Sequence, residues 1–167
     1  MRNYSSLVHN NTKQKSNSSL THDCEIYDEP RSTPMQIQLS GTVVSGRGEG
    51  SFYMTRKEYL KQFQSKIGYI PFPGTLNIKI DSKFSSNLLE DIEIFEGYKI
   101  KGFSNEKRSF GWIKCFDAKL DNSISCHVIQ LEKTHHDLSV IELISKHNIR
   151  MSSNLLDGSI VNVTIMK

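Results

Sequence analysis

The sequence predicts a mainly β domain, a small closed or partly closed barrel with one main helix and short helical turns. Three observations carry this. Short runs alternate apolar and polar residues along most of the chain, as half-buried strands do. Only one segment shows a strong helical stripe. Turn signals fall at the short spacing of small barrels.

Residues 1–35 differ from the rest. They are rich in Ser, Asn, Thr and His and lack an apolar period, so they are expected to form a disordered polar tail. The barrel domain is then 36–167. Its first strand is expected over 36–44, where Ile37, Leu39 and Val43 alternate with polar residues. A glycine loop follows, Gly46-Arg47-Gly48-Glu49-Gly50. Next, Thr55 and Glu58 have the spacing of a capping box. Tyr59, Leu60, Phe63 and Ile67 form the stripe of the main helix, and Gly68 is placed to stop it.

Pro71-Phe72-Pro73-Gly74 then sets a rigid turn before a strand over 75–80. Leu76, Ile78 and Ile80 share one face of that strand, and Thr75, Asn77 and Lys79 the other. The first face needs a core. The second is ordinarily solvent-facing, yet it begins with two neutral oxygens ~7 Å apart, and such oxygens suit a hard cation that already carries phosphate ligands. Further strands are expected near 98–103, 107–120, 124–131, 138–144 and 159–166. Asp157-Gly158 supplies the turn before the last, where Ile160, Val161, Val163 and Ile165 are core candidates.

The chain has 167 residues and a net charge of +3. That length allows one domain with its own core. The charge admits anionic ligands but is too dispersed for a nucleic-acid face. Cys24, Cys115 and Cys126 form no C-x-x-C pair, so neither a zinc site nor a disulfide framework is indicated. Cys115 and Cys126 sit in apolar surroundings, as buried thiols in a reducing compartment would. No signal peptide and no membrane-spanning run is seen. A soluble, cytoplasmic monomer is expected.

The glycine loop is not a P-loop, because Arg47-Gly48 stands where Lys-Ser/Thr is needed. Nor does it fit the dinucleotide fingerprint. Taken alone it reads as a bulge or tight hairpin, although glycines also let a backbone close on phosphates. Nearer the C-terminus, Lys133-Thr134-His135-His136 precedes Val140-Ile141-Glu142-Leu143-Ile144, and His147-Asn148-Ile149-Arg150 follows. Adjacent His135 and His136 would point to opposite faces of a strand, the wrong geometry for a shared metal. An exposed sheet edge is the ordinary place for Glu142. Arg150 could grip a phosphate or a base carbonyl, or pair with a surface carboxylate.

Together the three clusters, in this order and at these intervals, resemble the archaeal CTP-dependent riboflavin kinases, from about residue 38 to the end. The resemblance implies a cradle-loop (RIFT-type) β-barrel that moves the γ-phosphoryl of CTP to the 5′-hydroxyl of riboflavin, giving FMN and CDP. It also implies roles for residues. Gly46, Arg47, Gly48, Glu49, Gly50 and Ser51 would wrap the nucleotide, and His147, Asn148, Ile149 and Arg150 would form its second binding segment. Thr75 and Asn77 would hold Mg2+. Thr134 and Glu142 would bind the flavin. Ser51 stands where some relatives carry a basic residue. The catalytic base stays open, with Glu142 and Glu49 as candidates. The alternatives are a barrel that binds flavin or nucleotide without turnover, and a swapped-hairpin DNA-binding regulator.

Overall fold

The computed structural model describes residues 35–81, 88–132 and 139–167. The polar N-terminal segment, Cys24, Lys133, Thr134, His135 and His136 lie outside the described residues. In chain order the elements are β1 (Gln36–Val44), α1 (Glu49–Met54), α2 (Lys57–Lys66), β2 (Leu76–Ile80), α3 (Leu88–Glu93), β3 (Tyr98–Ile100), β4 (Phe103–Ser104), β5 (Ser109–Phe110), β6 (Ile113–Leu120), β7 (Ile124–Leu131), β8 (Val140–Ile144), α4 (Ile149–Ser152) and β9 (Ile160–Met166).

Strands β6, β7, β8, β2, β1 and β9 pair in that order, and β9 pairs back onto β6. All these pairings are antiparallel. The sheet is therefore closed, which removes the edges an open sheet would expose. β3 adds to β6 outside the ring, and β4 and β5 form a separate small hairpin.

Two cores flank the barrel wall. The inner one gathers Leu39, Val43, Leu76, Ile78, Phe116, Val128, Leu143, Val163 and Ile165. Leu88, Ile92 and Phe95 join it from α3 and the turn beyond, and Ile149 joins from α4. The outer core uses the alternate residues of the same strands. Ile113, Cys115, Ile129 and Ile144 pack against Met54, Tyr59 and Phe63 of α1 and α2, and against Ile100 and Phe110. The phenol of Tyr59 donates to the Gly111 carbonyl at 2.5 Å, and burial pushes its pKa up to about 12. Phe103 and Phe110 stack at 4.4 Å across the β4–β5 hairpin.

Several expectations change. The segment Gly46–Ser51 is neither bulge nor hairpin: it turns at Gly48, at φ 80°, directly into α1. Thr55 does not cap α2. It ends α1, and its hydroxyl donates back to the carbonyls of Ser51 and Phe52 at 3.0 and 3.1 Å. Arg56 holds the N-cap position of α2 with no side-chain cap. The strand expected over 107–120 is two. It breaks at Gly111-Trp112, where Tyr59 takes the Gly111 carbonyl and the Glu132 carboxylate accepts the Trp112 N–H at 2.9 Å. The 98–103 strand likewise splits into β3 and the start of β4. Ile160 is 78% exposed and so is not a core residue, whereas Val161, Val163 and Ile165 are fully buried. Cys115 and Cys126 are buried free thiols, each pushed up to about 12 chiefly by burial.

A polar cluster interrupts the outer core. His127 is 7% exposed; its Nδ1 lies 2.8 Å from the Tyr69 hydroxyl and its Nε2 3.1 Å from Asp117. Tyr98 also donates to Asp117. Burial lowers the His127 pKa, and Asp117 opposes it only in part. An unfolded chain takes that proton at about pH 6.5, while the folded chain takes it at lower pH. Between those points the unfolded state holds more protons, so stability falls as pH falls. The melting temperature should drop between pH 7.5 and 5, and H127Q, which has no titrating group there, should drop less. Parallel curves for the two proteins would count against this origin.

Candidate active site

Alternation along β2 decides where the chemistry sits. Leu76, Ile78 and Ile80 point into the barrel, so Asn77 points out. Asn77 is register partner of Glu142 on β8, and Glu142 of Ile129 on β7. These three residues form a row across the outer wall. The wall is roofed rather than wet: Asn77 is 7% exposed and Glu142 9%. Glu142 is therefore not at an exposed edge. Its strand lies between β7 and β2, and the chain folds over its outer side.

The roof is the glycine segment. A Cβ on Gly46 would lie 2.4 Å from Asn77 Nδ2, and one on Gly50 2.7 Å from Thr75 Oγ1. No side chain fits at either place without displacing those residues. Gly48 meets nothing within 4 Å but has φ +80°, a conformation that costs other residues energy. The three glycines thus serve two purposes: two allow close approach, and one makes the turn.

Under and beside this roof lies a cleft of about 440 Å³. It is lined by Gly46 through Ser51, by Thr75, Asn77, Glu142 and Arg150, and by Ser45, Tyr53, Met54, Ile129 and Leu131. Residues distant in sequence meet here. One boundary is polar, with the hydroxyl of Thr75, the amide of Asn77 and the carboxylate of Glu142. Ile129, Leu131 and Met54 supply an apolar boundary. Asn77 Oδ1 is buried with no hydrogen-bond partner. An unpartnered buried carbonyl oxygen is costly, and it is the kind of atom a hard cation satisfies. Among the described residues no three His, Cys, Asp or Glu side chains gather as a metal cage. Thr75 and Asn77 fit a divalent cation that brings most of its ligands as phosphate oxygens.

A second, smaller cavity of about 160 Å³ shares Gly74, Thr75 and Arg150 with the first. His147, Asn148 and Ile149 line it. Their side chains divide unequally. Ile149 is 5% exposed within the inner core, and Asn148 Oδ1 accepts the Met151 N–H as the cap of α4. His147 is exposed. Only Arg150 of this segment reaches the larger cleft. It pairs with Asp157 at 2.7 Å and donates to the Val44 carbonyl at 3.2 Å.

Residues 43–165 match the family model CTP-dep_RFKase, described as "Domain of unknown function DUF120". A protein named "Riboflavin kinase" from Cenarchaeum symbiosum is 44% identical over 140 residues, covering 84% of this chain and 72% of that one. This chain belongs to the archaeal-type CTP-dependent riboflavin kinase family. Proteins of the same name from Thermoplasma acidophilum and Pyrobaculum aerophilum are 47% and 42% identical; the matches cover 77% and 78% of this chain. They span 57% and 61% of those relatives' own length.

The cleft includes residues that the sequence did not single out: Ser45, Tyr53, Met54, Ile129 and Leu131. Tyr53 and Met54 follow Gly50 at helical spacing, a signal hidden by the glycines before them. Ile129 could be found only through its pairing with Glu142 on β8, and Leu131 only by sharing the face of β7 that bears Ile129, which sequence alone does not supply. No helix among the described residues is long and apolar enough to cross a membrane.

Proposed function

We propose that this chain is a CTP-dependent riboflavin kinase, transferring the γ-phosphoryl of CTP to the ribityl 5′-hydroxyl of riboflavin. The observation that carries the reading is the single cleft in which Gly46–Ser51, Thr75, Asn77, Glu142 and Arg150 meet. Family membership supplies the substrate class.

Phosphoryl transfer asks little covalent chemistry of a protein; it needs in-line placement and stabilisation of charge. The segment from Gly46 to Ser51 closes over the phosphates. Thr75 and Asn77 hold Mg2+ from the barrel wall, and they do so weakly by themselves because neither is charged. When bound, Mg2+ offsets charge on the transferring phosphoryl group. Glu142 stands beside Asn77 and next to Ile129 in the row. There it accepts hydrogen bonds from the flavin's polar chain, while Ile129, Leu131 and Met54 take apolar surface; Thr134 is the second flavin-binding residue of this reading. The backbone of His147–Ile149 together with Arg150 reads the base. The same reading makes the protein a cytoplasmic monomer whose partners are riboflavin, FMN, CTP and CDP.

Incubation with riboflavin, Mg2+ and CTP should yield FMN on chromatography. Bound flavin without FMN would favour a barrel that binds without turnover. Nucleotide choice is a sharper test. Groups that pair with one base edge are left unpaired by another, which can reach about 10⁴-fold in kcat/KM. CTP should far exceed ATP and GTP. UTP has the right size but accepts at O4 where cytosine donates, so it should be the best of the poor substrates. ATP equal to CTP would overturn the base-reading assignment even if FMN were formed.

A further inference from the structure

We propose that Asp157 is a positioning residue that clasps the two nucleotide segments to each other. The proposal rests on the reading of Gly46–Ser51 and His147–Arg150 as the nucleotide site. Asp157 lies in the turn between α4 and β9. One carboxylate oxygen accepts from the Ser45 hydroxyl at 2.5 Å, and the other from the Arg150 guanidinium at 2.7 Å. Ser45 is the residue immediately before the glycine segment. Arg150 lines both cavities and also donates to the Val44 carbonyl. One carboxylate thus bridges the end of β1 and α4, which are far apart in sequence.

The turn is itself held to both sides. Gly158 N–H donates to the Val43 carbonyl at 2.9 Å, and Val43 N–H to the Ser159 carbonyl at 2.8 Å. Leu155 N–H donates to the Arg150 carbonyl at 2.9 Å. The carboxylate is therefore presented from a fixed backbone. The hydrogen bonds from Ser45 and Arg150 hold the Asp157 carboxyl below its ordinary range, so the clasp persists in mildly acidic solution.

A structural role alone explains the pair poorly. The Asp157 side chain is 51% exposed and that of Arg150 35%, and ion pairs this open add little to stability. Orientation is where it acts. A guanidinium held in place by Asp157 and by Val44 loses less freedom when a nucleotide arrives. Ordering a long side chain at binding costs about three- to tenfold in affinity.

The test is Asp157→Ala, with Asp157→Asn beside it, in the full chain. The KM for the nucleotide should rise about three- to tenfold, while kcat, the KM for riboflavin and the melting temperature stay near wild type. Asp157→Asn keeps one acceptor without charge and should fall between. Trypsin supplies a readout without substrate. Arg47 is exposed two residues beyond Ser45, and cleavage after it, followed by mass spectrometry, should be several-fold faster in Asp157→Ala. An unchanged nucleotide KM with unchanged cleavage overturns the clasp. So does a lower nucleotide KM, since Asp157 would then compete with the nucleotide for Arg150. A fall in melting temperature with all kinetic parameters altered overturns it too, in favour of a purely structural role. If the wild-type protein makes no FMN, the reading of the activity fails, while the trypsin comparison still decides the clasp.

Discussion

Replacing Asn77 with alanine should lower kcat by about 10²–10³-fold and leave the melting temperature unchanged or higher. Both halves follow from one atom. Asn77 Oδ1 is buried and unpartnered, a state that costs about 1–3 kcal/mol in a folded protein. Removing it relieves that cost, so stability need not suffer. The loss falls on the cation, for which Thr75 is the only other protein ligand proposed. Leu76, Ile78 and Ile80 remain packed in the inner core. Thr75→Ala should act in the same direction. Activity titrated with Mg2+ alongside thermal melts makes the measurement. Full turnover by Asn77→Ala at limiting Mg2+ would remove Asn77 from the metal site.

Gly46→Ala should lower kcat/KM by about 10²-fold, the usual scale for displacing a reacting geometry by an ångström. The added methyl would lie 2.4 Å from Asn77 Nδ2 and 3.0 Å from its Cγ. Either the roof lifts or the amide turns away, and each spoils the site. Gly50→Ala repeats the experiment on Thr75, where the contact is 2.7 Å. Gly48→Ala is the control: it meets no atom within 4 Å, but its φ of +80° costs about 1–2 kcal/mol in strain. It should reduce stability more than the other two relative to its effect on activity. A double-mutant cycle isolates the cause. In an Asn77→Ala background, Gly46→Ala should add little, because the group it strikes is gone. Full additivity of the two substitutions would show that Gly46 acts on something other than Asn77.

The sequence was legible wherever one face of a strand met an apolar core. β1, β7 and β9 fall within a residue of their expected limits because period-2 alternation is local information. What stayed hidden was pairing and roofing. The face of β2 that bears Asn77 reads as wet, since polar residues on a strand usually are. It is buried because a segment some thirty residues earlier folds across it. Glu142 reads as an edge residue for the same reason. Helix α1 was masked by its own glycines, and the apparent capping box failed because the Thr55 hydroxyl turns backward to α1. The site residues were recognised as types in order. Their meeting in one cleft depends on the register of β2, β8 and β7, which is set by contacts distant in the chain.

The barrel wall serves two neighbours at once. Its inner residues fill the lumen, so no ligand passes through the ring. Its outward residues, offset by one position along the same strands, line the cleft proposed as the active site. A lineage could therefore change its preferred base or phosphoryl acceptor by altering the roof and the outward positions alone. The lumen would not have to be repacked, and each intermediate would remain a folded protein on which selection could act.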